Sequence, residues 1–316
     1  MMKTIDKSLF KGRDFISLHD FNQDELSFIL DVAKDLKAEQ RAGRPHPILQ
    51  GKTLGMVFTK SSTRTRVSFE VGMYQLGGHA LFLSGRDIQL GRGEPISDTA
   101  RVLSRMVDGI MIRTFSHQEV LELAEFSTIP IINGLTDLLH PCQVLADLMT
   151  IQEHKGRLEG LKLAYVGDGN NMAHSLMFGG AKMGLHVVIA SPQGYKPDPL
   201  IIAKAQADAK DNGGLVEVVD DPSEALKGAD VLYTDVWASM GQEAEAKERM
   251  EAFKGYQINS DSLKRANQSA IVLHCLPAHR GEEITEDVIE GDQSVVFDEA
   301  ENRLHAQKAI MALVMA

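Results

Sequence analysis

Only two cysteines, Cys142 and Cys275, occur in the 316 residues. A disulfide framework is thereby excluded, and so few thiols fit a reducing compartment. Long apolar runs are missing too: no stretch reaches the roughly 18 residues that a membrane-spanning helix needs. The start, Met1-Met2-Lys3-Thr4-Ile5-Asp6-Lys7, lacks the apolar core of a secretory signal. Basic charge is in deficit, with 33 Lys and Arg against 44 Asp and Glu and a net charge of −11. That balance disfavours nucleic acid or an anionic membrane as partner. A soluble, cytoplasmic protein is expected.

Two motif classes are absent as well. Gly167-Asp168-Gly169 resembles the start of a dinucleotide fingerprint, but the third glycine position holds Met172. The next apolar run ends Ile189-Ala190-Ser191, without the acid that would meet a ribose. No phosphate-binding G-x-x-x-x-G-K-[ST] run occurs. The eleven histidines do not fall into metal-ligand spacings, so no metal and no cofactor are expected. Cys275 is open to two readings at this point, a nucleophile or a buried thiol at a strand end.

At 43% hydrophobic the chain is long enough for two cores. Strand-like and helix-like segments alternate, which predicts an α/β protein of two domains, each a parallel sheet flanked by helices. Helices are predicted at 24–40, from about 64, from Ser97 as cap to Val107, at 117–126, and from Pro141 to about 155. Strands are predicted at 53–59, 79–83, 109–113 and 129–133. A second set of strands begins near 161 and continues near 185–190, 215–219, 230–235 and 269–275. A final helix, 301–315, has no strand after it and is expected to pack back on the first domain. The domains are therefore taken as 1–150 with 301–316, and 151–300.

Within this frame Ser61-Ser62-Thr63-Arg64-Thr65-Arg66 carries the most chemistry. It joins a strand to a helix, and first-turn N–H groups there have no helical partner and favour an anion. Hydroxyls add short donors, and arginine adds a planar fork that matches phosphate oxygens. Residues two apart on a helix point about 200° apart, so Arg64 can face an anion while Arg66 pairs with Glu70. In parallel sheets ligands bind beyond the carboxyl ends of the strands. Arg113, His140-Pro141-Cys142-Gln143, Asn171, Asp235 with Ser239-Met240-Gly241, and His274-Cys275-Leu276-Pro277 all fall at such ends. Together they point to a cleft between the domains.

In this order, these segments resemble those of the ornithine carbamoyltransferases, within the aspartate/ornithine carbamoyltransferase family, and the similarity runs from about residue 8 to the end. The Ser-Thr-Arg-Thr-Arg and His-Pro-x-Gln segments are similar to those of all carbamoyltransferases; Ser-Met-Gly and His-Cys-Leu-Pro are similar to the ornithine branch. The resemblance implies carbamoyl transfer from carbamoyl phosphate to L-ornithine, giving citrulline and phosphate. It implies that Ser62, Thr63, Arg64, Thr65, Gln89, Arg113, Cys275, Leu276 and Arg303 bind carbamoyl phosphate, with His140, Gln143 and Arg113 on the carbamoyl group. Gln89 would reach across from a neighbouring subunit, implying a homotrimer or a multiple of trimers. Asn171, Asp235, Ser239 and Met240 would hold ornithine, with Cys275 and Leu276 beside the reacting amine. Arg113, His140 and Cys275 would be the catalytic groups, and Leu276-Pro277 a cis bond. Another amine such as putrescine remains an alternative acceptor, and the motifs do not distinguish citrulline synthesis from its reverse.

Overall fold

The computed structural model describes residues 7–239 and 241–316. The chain divides into two compact units, Met1–Met149 with Glu301–Ala316, and Thr150–Ala300. In the first set, α1 (Gln23–Arg41) precedes β1 (Thr53–Phe58), α2 (Thr63–Gln75) and β2 (His79–Ser84). Then come α3 (Ile96–Leu103), β3 (Gly109–Arg113), α4 (His117–Phe126), β4 (Ile131–Leu135) and α5 (Pro141–Lys155). The second set runs β5 (Lys162–Val166), α6 (Asn171–Lys182), β6 (His186–Ala190), α7 (Pro199–Asp211), β7 (Leu215–Val219), α8 (Pro222–Leu226) and β8 (Val231–Thr234). It closes with α9 (Ala246–Ala252), α10 (Ser260–Arg265), β9 (Ile271–His274), α11 (Glu286–Ile289) and α12 (Val296–Val314). Among the described residues, no helix is long and apolar enough to cross a membrane.

Both sheets are parallel, in the orders β2-β1-β3-β4 and β7-β6-β5-β8-β9. Each reverses direction once, between β1 and β3 and between β5 and β8, and such switch points open a crevice at the strand ends. Register levels those ends. Phe58 pairs with Ser84 and Arg113 in one sheet, and Tyr165 with Tyr233 and Thr234 with His274 in the other. β3, β4, β8 and β9 are buried along their whole length, the pattern of a sheet covered on both faces. Val57, Ile110, Ile112 and Ile131 meet Ala100, Val120 and Leu123 of α3 and α4. Ala164, Val188, Leu232 and Val272 form the corresponding core of the second sheet.

Several boundaries differ from the sequence expectation for identifiable reasons. Ser97 is not a cap: α3 opens after Pro95, whose φ of −58° suits a helix entry. The helix ends at Leu103 because Asp108 must already join the sheet, its N–H reaching the Thr53 carbonyl at 2.8 Å. The strand expected at 129–133 lies at Ile131–Leu135, after Pro130, which has no N–H to give. The last helix begins at Val296, five residues early, because Glu299 in its first turn is fully buried. Glu299 accepts the His274 N–H at 2.8 Å and the Tyr233 hydroxyl at 3.1 Å.

Gly180 shows how closely α6 lies on its sheet: a Cβ there would sit 2.3 Å from Val187 Cγ2. Alanine would favour the helix by about 1 kcal/mol, whereas overpacking a buried β-branched neighbour costs about 1–3 kcal/mol. Gly180→Ala should therefore lower the urea midpoint; a raised midpoint would show that the helix–sheet contact yields.

Candidate active site

The turn after β1 becomes the first turn of α2. Ser62 is the N-cap, and its hydroxyl accepts the Thr65 N–H at 3.2 Å. Thr63 and Arg64 follow within the first turn, where N–H groups have no carbonyl four residues back. Two arginines from distant parts of the chain converge on the buried Thr65 hydroxyl. Arg113, at the end of β3, approaches it through Nη1 at 3.5 Å and gives Nε to the Ser61 carbonyl at 3.3 Å. Arg303 of α12 donates Nη2 to it at 3.1 Å and Nη1 to Gln143 Oε1 at 2.6 Å. Arg66 turns away, pairing with Glu70 at 3.4 Å and lying over the Phe82 ring.

His140 precedes α5 and is buried. Burial, then the charges of Arg303, Arg113, Lys60 and Arg64, hold its imidazole well below the usual histidine range. At neutral pH it is therefore an uncharged donor and acceptor. Its neighbour Cys142 is inert: burial pushes the thiol up to about 12, and Sγ donates to the Asn133 carbonyl at 3.3 Å. Gln143 gives its amide N–H to Asp147 at 2.8 Å, which turns its oxygen toward Arg303. Gln89 is exposed on the 3-10 turn Gln89–Arg92 and makes none of these contacts.

In the second unit Asp235 follows β8. Its Oδ2 accepts Asn170 Nδ2 at 2.9 Å, and its Oδ1 accepts the Val236 N–H at 2.8 Å and Cys275 Sγ at 3.1 Å. Asn170 is also the N-cap of α6, accepting from Met172 and Ala173 N–H, which leaves Asn171 as the first helical residue. Leu276 has φ +55°, a left-handed conformation costly for a side chain without polar atoms. Its N–H is tied to His274 Nδ1 at 2.9 Å, and its bond to Pro277 is cis. Asp235, His274 and Cys275 place one possible ligand atom each within 4.8 Å of one another. Both His274 ring nitrogens are engaged, however, Nδ1 with the Leu276 N–H at 2.9 Å and Nε2 with Glu283 at 3.1 Å, while the Cys275 thiol is taken up by Asp235. Ser239 is half-buried, its N–H held by Gln242 Oε1 at 3.0 Å; Met240 lies outside the described residues.

Gly169 has a packing reason unrelated to a nucleotide. A Cβ there would lie 2.2 Å from the Pro197 nitrogen, so the glycine admits a neighbouring loop at that turn.

Residues 13–153 match the family model "Aspartate/ornithine carbamoyltransferase, carbamoyl-P binding domain", and residues 159–314 match its "Asp/Orn binding domain". The chain belongs to the aspartate/ornithine carbamoyltransferase family. An ornithine carbamoyltransferase of Symbiobacterium thermophilum is 66% identical over 97% of this chain and 99% of its own. That of Thermococcus kodakarensis is 60% identical over 96% of both. The solved ornithine carbamoyltransferase of Pyrococcus furiosus has TM-score 0.94 and 58% identity, covering 97% of this chain and 98% of that one.

Within this member of the family the structure adds residues that the motifs left unmarked. Lys60 is buried just before the turn that opens α2, paired with Asp137 at 3.0 Å and lying over Phe115; its place directly before Ser61 was the available signal. Arg249, on α9, donates to Asp168 at 2.9 Å and to the Trp237 carbonyl at 2.9 Å, anchoring the segment that leads to Ser239. No local pattern announced it, since 81 residues separate the pair. Burial pushes the Asp168 carboxyl up to about 6 even with Arg249 beside it. Arg249→Met would leave that carboxylate without its cation and raise it further. An acid whose folded value lies above its unfolded one stabilises at low pH and loses that contribution as pH rises through the folded value. The deficit of Arg249→Met against the parent in urea unfolding should therefore grow from pH 5 to pH 8, approaching about 3–5 kcal/mol. A deficit independent of pH would contradict this.

Proposed function

We propose that the protein transfers the carbamoyl group of carbamoyl phosphate to the side-chain amine of L-ornithine, giving L-citrulline and phosphate. The observation that carries this reading is the convergence of Arg113 and Arg303 on Thr65 at the N-terminus of α2. Ser62, Thr63, Arg64 and Thr65 hold the phosphate with Arg113 and Arg303. Arg113, His140 and Gln143 meet the carbamoyl oxygen and nitrogen. Asn171, Asp235, Ser239 and Met240 hold the ornithine head group, and Cys275 and Leu276 border the reacting amine. Residues 1–150 with 301–316 then serve the donor, and 151–300 the acceptor. The protein works in the cytoplasm, in arginine synthesis; one relative 58% identical over 96% of this chain, from Pyrococcus furiosus, is named as anabolic.

The lone pair of the ornithine side-chain nitrogen attacks the carbamoyl carbon and charge gathers on its oxygen. The bond to the phosphate oxygen then breaks, phosphate leaves with that electron pair, and the proton shed by the newly bonded nitrogen passes to the departing phosphate or to solvent. Fixed donors at the developing charge are worth roughly 3 kcal/mol each. His140, held neutral, still carries one ring N–H with which to donate to that oxygen. The amine is the harder step: an alkylammonium of pKa about 10.4 costs about 4 kcal/mol to deprotonate at pH 7.4. Desolvation beside Cys275 favours the neutral amine.

The active assembly is a homotrimer, in which Gln89 serves a neighbouring copy. Tyr74, Val67 and Val71 of α2 are 81%, 52% and 37% exposed, beside Leu81 and Phe82 of the edge strand β2. Such an apolar face, on an unpaired sheet edge, favours burial against another copy.

The deciding experiment incubates purified protein with carbamoyl phosphate and ornithine, putrescine, acetylornithine or aspartate, following phosphate and ureido product. Ornithine should exceed every other amine, because putrescine leaves the groups that meet the carboxylate unpaired; a preference for any other amine overturns the assignment. With saturating substrates, turnover should rise from pH 6 to 9 as the amine deprotonates, His140 being uncharged throughout; a flat profile refutes this activation. Arg113→Ala should cut turnover at least a hundredfold with little change in ornithine binding, whereas Ser239→Ala should chiefly weaken ornithine. Co-expressed Gln89→Ala and Arg113→Ala chains should regain activity that neither has alone, and failure of this complementation would remove the shared site.

A further inference from the structure

The last helix brings more than Arg303 to the first unit. One turn on, Gln307 is fully buried and bonded at both ends of its amide. Its Oε1 accepts Arg303 Nε at 2.9 Å, and its Nε2 donates to Ser68 Oγ at 2.7 Å. Ser68 in turn gives its proton to the Arg64 carbonyl at 2.5 Å. A single line of donors thus runs from a guanidinium to the opening turn of α2. Its direction fixes the amide, since the flipped form would set an NH₂ group against the cation.

Packing alone does not call for this arrangement. An apolar side chain of the same volume would fill the site without the cost of burying an amide. What the amide adds is orientation. A guanidinium is planar, so holding its Nε edge sets where Nη1 and Nη2 point, here toward Gln143 at 2.6 Å and Thr65 at 3.1 Å. Through Ser68 the same amide ties that plane to the backbone of Arg64. The arginine and the anion-binding turn, 238 residues apart between Arg303 and Thr65, are held in one frame.

We propose that Gln307, acting through Ser68, is a positioning residue for carbamoyl phosphate: it fixes the plane of Arg303 against the turn that grips the phosphate. The proposal rests on the assignment of residues 62–65 and Arg303 to that substrate. Gln307→Met keeps the volume and leaves the Arg303 charge in place but frees its plane. Gln307→Glu keeps the acceptor, loses the donor to Ser68 and sets a carboxylate against the guanidinium, cancelling charge the anion needs.

The test is steady-state kinetics of the full-length variants Q307M, Q307E and S68A, with R303M as reference, together with thermal midpoints. Q307M should raise KM for carbamoyl phosphate about tenfold, the scale of one lost charge-assisted hydrogen bond. KM for ornithine should stay within about twofold, and Q307E should lose more than Q307M. S68A should act in the same direction, and adding it to Q307M should cost less than it does alone, because both cut one chain. Ser68→Ala also carries the test if Q307M does not fold. Equal rises in both KM values, or losses that follow the thermal midpoint, would reduce Gln307 to a packing role and overturn the proposal. If R303M leaves KM for carbamoyl phosphate unchanged, the substrate assignment itself fails and this inference with it. If R303M raises that KM while Q307M and S68A do not, the positioning role alone fails.

Discussion

A small dianion is held only where positive charge is concentrated and left uncancelled. In the first unit the two arginines that meet Thr65 are oriented by neutral oxygens. Arg113 is steered by the Ser61 carbonyl and the Thr65 hydroxyl, and Arg303 by Gln143, Gln307 and Thr65. Each of these bonds sets geometry without subtracting charge, whereas a carboxylate in the same place would do both. The consequence reaches His140. Buried beside four cations, it is driven far toward the neutral form, in which one ring nitrogen donates and the other accepts.

The second unit follows the opposite plan, with negative and soft groups at the strand ends. Asp235 is oriented by Asn170, Val236 and the Cys275 thiol. The left-handed Leu276 is held by His274, whose own N–H is held by Glu299. Cys275 therefore has a fixed direction, supplied by buried polar groups behind it. A carboxylate that can accept from an α-ammonium, together with a thiol at its side, suits an amino-acid acceptor.

Much of this was legible in the chain. The alternation of periods marked the two parallel sheets, and residue types at strand ends marked the candidate groups, because a strand that feeds a helix exposes N–H groups there whatever the rest of the fold does. What failed was local and had physical causes. Ser97 looked like a cap, but Pro95 had already opened the helix. The run 129–133 looked like a strand, but Pro130 delays it. The final helix began early because Glu299 is anchored by Tyr233 and His274, partners that no local pattern reveals. Gly167-Asp168-Gly169 is no failure of this kind: its nucleotide pattern breaks at Met172, and the close approach of Pro197 requires Gly169.

By itself the sequence determined the alternating elements, the turn of hydroxyls and arginines that opens α2, and the identities of the groups at each strand end. These follow from short-range rules: periodicity, capping and the unpaired donors of a helix start. The tertiary structure alone decided which of those groups act together. Arg303 meets Gln143 across 160 residues, Gln307 meets Ser68 across 239, and Arg249 meets Asp168 across 81. Such pairings are fixed by how helices pack on sheets, and a contact made through space leaves no periodic trace along the chain.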